Sequence, residues 1–151
     1  MSQQTPGWGD RLVAAHDALR GSVAAARAAP SANGAGLAEQ LRNHCETVCV
    51  YLHGHHTTED GALFPHLADV DPGLAPALER LRREHVVVDR ILRDVDALVA
   101  AVEPERVREE LDRLATELDA HFAYEEEWLV ATLNALTGPV PWDPHRPERL
   151  P

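Results

Sequence analysis

Between Pro72 and Pro104, the apolar residues Leu74, Leu78, Leu81, Val88, Leu92, Val95, Val99 and Val102 recur at spacings of four and three, and His85 fills the one remaining slot of the series. That period belongs to a helix with a single buried seam rather than to a strand or a two-sided core helix. A helix of this length can bury such a seam only against other helices of similar length. Three further segments comply. One runs from Asp10, read as an N-cap, to Pro30, with Leu12, His16, Leu19 and Val23 on one stripe. A second follows the Ser31-Ala32-Asn33-Gly34 loop to about Asp69, and a fourth lies between Pro104 and Gly138. The expected fold is all-α, an up-down-up-down antiparallel four-helix bundle over residues 1–136. A proline-rich tail, 137–151, would pack on or trail from the bundle, with Trp142 and Trp8 as anchors at its end.

Composition supports this class and narrows the partners. A chain of 151 residues is the size of one domain, and aromatics make up only 5% of it. Its formal charge of −11 argues against a nucleic-acid or anionic-membrane surface. No run is long and apolar enough to span a membrane, and MSQQTPGWGD lacks the pattern of an export signal, so the expected location is the cytoplasm. Cys45 and Cys49 stand four apart in one segment and could staple nothing distant, which makes them small core residues.

Each seam carries groups that do not belong in a dry core. On the second segment, Leu41, Cys45, Val48 and Leu52 define a stripe, and His55 and Glu59 lie close to its centre. His56 and Asp60 share the same spacing but sit about 60° and 100° off it, and His53 points away as well, so these read as solvated. On the fourth segment, Leu111, Leu118, Phe122, Leu129 and Leu136 define a face that includes Glu125, with His121 at its edge; Glu126 and Glu127 read as solvated. Two segments thus carry His-x-x-x-Glu, one turn apart, and the other two present His16 and His85.

Burying four imidazoles and two carboxylates without partners would cost several kcal/mol each. Two cations sharing the six groups would remove that cost, with two nitrogens per ion and Glu59 and Glu125 bridging, alongside a hydroxide or oxide. Mixed nitrogen and oxygen ligation with open positions suits iron, whereas structural zinc favours a closed tetrahedron; manganese and zinc are the alternatives. The candidate metal ligands are His16, His55, Glu59, His85, His121 and Glu125. Asp89, Tyr51 and His56 are the residues that could complete the shell. His44 leans inward but lies too far along the axis to share an ion; His66 and His145 are weak candidates.

With AAHDALR around His16, HHTTEDGALFPHL around His55 and Glu59, RREHVVVDRIL around His85 and AHFAYEEEWL around His121 and Glu125, the chain resembles the hemerythrin-like (HHE cation-binding) family over residues 10 to 136. The resemblance implies a four-helix bundle with a non-haem di-iron centre that reacts with dioxygen, peroxide or nitric oxide. The chain departs from the oxygen-carrying hemerythrins at two places. Leu81 stands where they have a second histidine on the third helix, and the fourth-helix spacing is four rather than five, to glutamate rather than aspartate. These departures favour peroxide turnover, oxidation of a small molecule or gas sensing over reversible oxygen carriage. A non-catalytic helical module with a structural ion is the remaining alternative.

Overall fold

The computed structural model describes residues 6–28, 35–101 and 103–143, apart from the side chains of 35–38, 40 and 41. The expected loop at 31–34, the side chain of Leu41, Val102, His145 and the tail beyond 143 lie outside the described residues. Among the described residues there is no strand. The helices are α1 (Trp8–Arg27), α2 (Ala35–Thr58), α3 (Phe64–Val70), α4 (Ala75–Ala100) and α5 (Pro104–Ala135). They form four antiparallel rods, because α2 runs into α3 through a π-helical turn, Glu59–Leu63. α1 packs on α2 and α5, and α4 packs on the same two, closing the ring. No helix among the described residues is long and apolar enough to cross a membrane.

Two boundaries differ from expectation for local reasons. α1 starts at Trp8 with Gly7 as its N-cap, so Asp10 lies inside the first turn. The cap comes from another helix, since the N–H groups of Gly9 and Asp10 donate to Oδ1 of Asn134 on α5 at 2.8 and 3.2 Å. A proline inside a helix is expected to bend or end it at the carbonyl four residues back, here Gly61, yet the second rod continues past Pro65 to Val70. The N–H of Phe64 reaches back five residues to the Glu59 carbonyl, and the wider π turn lets the chain pass the residue that has no N–H to give.

The core is in two parts. Leu19, Val23, Cys45, Val48, Leu52, Val88, Ile91, Leu111, Leu118 and Phe122 belong to one cluster, and Leu12, Leu63, Phe64, Leu67, Leu78, Leu81, Leu129, Leu133 and Trp142 to the other. Between them in the sequence, on every rod, come the polar residues: His16 between Leu12 and Leu19, His55 and Glu59 between Leu52 and Leu63, His85 between Leu81 and Val88, His121 and Glu125 between Leu118 and Leu129. A polar belt therefore crosses the bundle with a dry cluster on each side.

Candidate metal centre

Each of the six predicted side chains is buried, and Glu59, Glu125 and His16 are fully enclosed. They fall into two groups. His16, His55, Glu59 and Glu125 bring one ligand atom each to within 4.8 Å of one another, and His85 and His121 do the same with a third histidine, His56. The carboxylates link the groups. Glu59 Oε1 lies 3.3 Å from His55 Nε2 and 3.5 Å from His85 Nε2, while Glu125 Oε2 lies 3.4 Å from Nε2 of both His16 and His121.

His56 corrects the expectation of a solvated residue, being only 6% exposed and stacked on His85 at 3.8 Å. The reason lies in the neighbours of its rod. α2 touches both α1 and α4, so its inward arc is wide enough for two adjacent positions, about 100° apart, to face the interior. His55 meets His16 on one side and His56 meets His85 on the other. The division is thus three nitrogens in one group and two in the other, rather than two and two. Asp89 belongs to neither group. Asp89 pairs with His53 and Arg93 at the surface, and Tyr51 is exposed. His44, read as inward-leaning, is also exposed. Cys45 is buried and Cys49 partly so; burial pushes both thiols up to about 11, which keeps them protonated.

Three carboxylates that sequence reading passed over hold the outer nitrogens. Asp60 Oδ1 accepts from His85 Nδ1 at 2.9 Å, Glu84 Oε1 from His121 Nδ1 at 3.0 Å, and Glu126 Oε1 from His16 Nδ1 at 3.2 Å. Glu126, read as part of a solvated face, is thereby tied into the belt. Each acid is the sequence neighbour of a ligand candidate on its own rod, yet reaches a histidine on the next rod. A carboxylate only accepts, so each Nδ1 carries the proton and, in the neutral ring, each Nε2 is left with a bare lone pair pointing inward. The sequence signal was available in the pairs Glu59-Asp60, Glu84-His85 and Glu125-Glu126, but adjacency alone does not say which rod lies within reach.

The inner atoms have no such partners. Nε2 of His16, both nitrogens of His55, Nε2 of His56 and both oxygens of Glu59 and of Glu125 are buried without a hydrogen bond. Nε2 of His85 and Nε2 of His121 face each other at 3.1 Å. Two nitrogens bound to one ion at ~2.1 Å and roughly a right angle stand about 3 Å apart, so the spacing fits two ligands of a shared cation.

Electrostatics agree with that donor set. Burial, reinforced by the charge of His16, holds His55 down to about 3, and burial likewise depresses His56 and His121. These rings remain neutral, as metal ligands must be. Burial also lowers His16, but the adjacent Glu125 and Glu126 carboxylates outweigh it and leave His16 raised. Glu59 is pushed well up by burial and by Glu125; Glu125 is pulled well down despite its burial, by the adjacent Glu59 carboxyl and by His16. Without metal, protons occupy part of the space that cations fit.

The belt is walled by aromatic rings. His16 stacks on Phe122 at 3.9 Å with the planes 9° apart, and Trp142, from the chain beyond α5, meets His55 edge-on at 6.3 Å and Trp8 at 6.5 Å. Among curated proteins and among solved structures, nothing matches the chain. The sequence model described as the Hemerythrin HHE cation binding domain matches residues 9–133, a span that holds every member of both ligand groups. With four antiparallel rods, buried His and Glu groups and a match over most of its length, the chain belongs to the hemerythrin HHE cation-binding family.

Proposed function

We propose that the chain is a non-haem di-iron protein that binds or reacts with dioxygen, peroxide or nitric oxide. The ligands would be His16, His55, His56, His85 and His121, with Glu59 and Glu125 as bridges. The single observation that supports this most is the facing of His85 Nε2 and His121 Nε2 at 3.1 Å while Asp60 and Glu84 hold their outer nitrogens. Two inward lone pairs at that distance repel unless something positive lies between or beside them. A proton could serve one such pair, but seven side chains converge here.

The mixed nitrogen and carboxylate set, with no thiolate in it, favours iron, and manganese and zinc are the competing ions. Bound there, a pair of iron ions would supply redox chemistry and Lewis acidity toward a small oxygen or nitrogen ligand. The chain's own contribution is to keep the rings in one tautomer through Asp60, Glu84 and Glu126 and to exclude water with Phe122 and the leucines of both clusters. Three nitrogens on one side and two on the other would make the two positions unequal.

Metal analysis of anaerobically prepared protein, with its ultraviolet and visible spectrum before and after air, peroxide or nitric oxide, tests the reading. The expectation is about two iron per chain and a spectrum that responds, with His55→Ala and Glu125→Ala abolishing both. Iron-free, colourless protein after anaerobic reconstitution would overturn it. The second reading is an oxidase or peroxide-decomposing enzyme acting on a small molecule. It draws on the absent carrier histidine at Leu81 and on a cleft of about 330 Å³ that reaches His56 and His85. Steady-state peroxide loss separates it from a carrier or sensor. A non-catalytic module with a structural ion would show a spectrum indifferent to all three ligands.

A further inference from the structure

The belt is approached differently from its two flanks. On the α1 and α5 flank, Phe122 covers His16 and Trp142 stands against His55. On the α2 and α4 flank, the cleft of about 330 Å³ opens to the surface, with the stacked pair His56 and His85 among its lining residues. None of His16, His55, Glu59, His121 or Glu125 lines it, so the cleft lies outside the space between the ligand groups and meets it from one side. Its volume falls at the small end of the range for small-molecule sites, ~300–1,000 Å³.

The wall chemistry selects an occupant. Asp60 is engaged by His85 at 2.9 Å; Asp89 is engaged twice, by His53 at 3.3 Å and by Arg93 at 2.9 Å; and the Thr57 hydroxyl donates to the His53 carbonyl at 2.7 Å. Arg90 also lines the cleft, is exposed, and has no ion-pair partner among the described residues. In a chain of net charge −11, an uncommitted guanidinium beside acids that are already paired gives this mouth a local preference for anions. The planar fork of arginine matches a carboxylate, with two parallel N–H donors. Apolar surface is also on offer, since Val86 is 59% exposed at the cleft and Leu92 lines it.

We propose that this cleft binds a small organic carboxylate, its anionic end on Arg90 and its apolar body against Val86 and Leu92, next to His56 and His85. The proposal deepens the enzyme form of the reading above and rests on it for any chemistry after binding: it names the substrate class of that centre.

Benzoate and benzamide, one body with and without the charge, serve as probes and are titrated into metal-loaded protein with ligand-observed NMR. Benzoate is expected to bind about tenfold more tightly than benzamide, as one charge-assisted contact provides. Arg90→Gln should erase that preference, and Val86→Trp, which fills the mouth from an exposed position, should weaken both probes. In manganese-loaded protein, the resonances of bound benzoate should broaden through paramagnetic relaxation, since the probe would lie beside the centre. Equal affinity for the two probes, a preference that survives Arg90→Gln, or bound benzoate that manganese leaves sharp would each overturn the proposal. Metal analysis of the same samples keeps the two ideas apart. Protein that retains its ions but shows no Arg90-dependent benzoate binding sinks the cleft alone, whereas iron-free protein that binds benzoate through Arg90 sinks the di-iron reading and supports the cleft.

Discussion

His56 decides how the seven donors divide, and it is one of the residues that sequence reading placed wrongly. A helical wheel assigns one direction to each residue but not the width of the arc that neighbouring helices cover. His55 and Glu59 fell at the centre of the stripe and were legible; His56, about 60° away, reads as solvated until α4 is known to pack on that side. If it is the third nitrogen of its group, His56→Ala should leave the fold and the His16, His55, Glu59 and Glu125 group in place and weaken one ion by at least about tenfold. Titrating metal-free wild type and variant with ferrous iron under anaerobic conditions, with circular dichroism to check the fold, measures this. Two ions bound with unchanged affinity in the variant would remove His56 from the shell. The outer carboxylates were harder still to read, because Asp60, Glu84 and Glu126 act across rods, and their roles depend on a ring of neighbours that no single segment encodes.

Among the elements, α1 and α5 share the most extensive contact, and a glycine lets them approach closely. A Cβ on Gly9 would collide with the Val130 carbonyl oxygen on α5 and would stand 2.8 Å from Asn134 Oδ1 and 2.9 Å from Val130 Cγ1. Gly21, on the same helix, would meet nothing within 4 Å. Helix propensity alone favours alanine at both, by up to ~1 kcal/mol. Packing reverses the sign at one of them: Gly9→Ala should destabilise by about 1–3 kcal/mol and lower the melting temperature by several degrees, while Gly21→Ala should raise it slightly. Thermal unfolding of the two variants beside wild type tests the pair, and a stabilised Gly9→Ala would show that the helices are free to part. The same contact explains the boundary that sequence reading missed. Asp10 has the chemistry of an N-cap, but Asn134 supplies the acceptor from 125 residues beyond Gly9, so the cap falls on Gly7, three residues earlier. The π turn was hidden for a related reason: Pro65 signals a break, and only the five-residue reach from Phe64 to Glu59 shows that the rod absorbs it.

At the scale of the whole molecule, two dry clusters hold a belt whose protonation and metal content are linked, and the sign of that linkage follows from the shifts. His55, His56 and His121 are depressed, so near neutral pH they are already unprotonated in the metal-free protein and have no proton to lose on binding a cation. His16 and Glu59 are raised. Their protons stabilise the metal-free fold at pH values below their ordinary ranges, and that contribution disappears as pH climbs through their folded values. Cation binding needs the same atoms bare, so it must displace whatever protons His16 and Glu59 still hold. Loading metal-free protein in weak buffer near pH 7 should therefore release protons, and apparent affinity should rise with pH, by up to about tenfold per pH unit for each proton displaced. The melting temperature should rise with added ion by mass action, and the increment should grow from pH 6.5 to 7.5. Indicator-dye measurement of proton release and calorimetric melts at the two pH values check both statements. Proton uptake on loading, or a metal-induced increment that shrinks as pH rises, would mean that the ions bind somewhere other than the belt, because no arrangement of these seven side chains gives that sign.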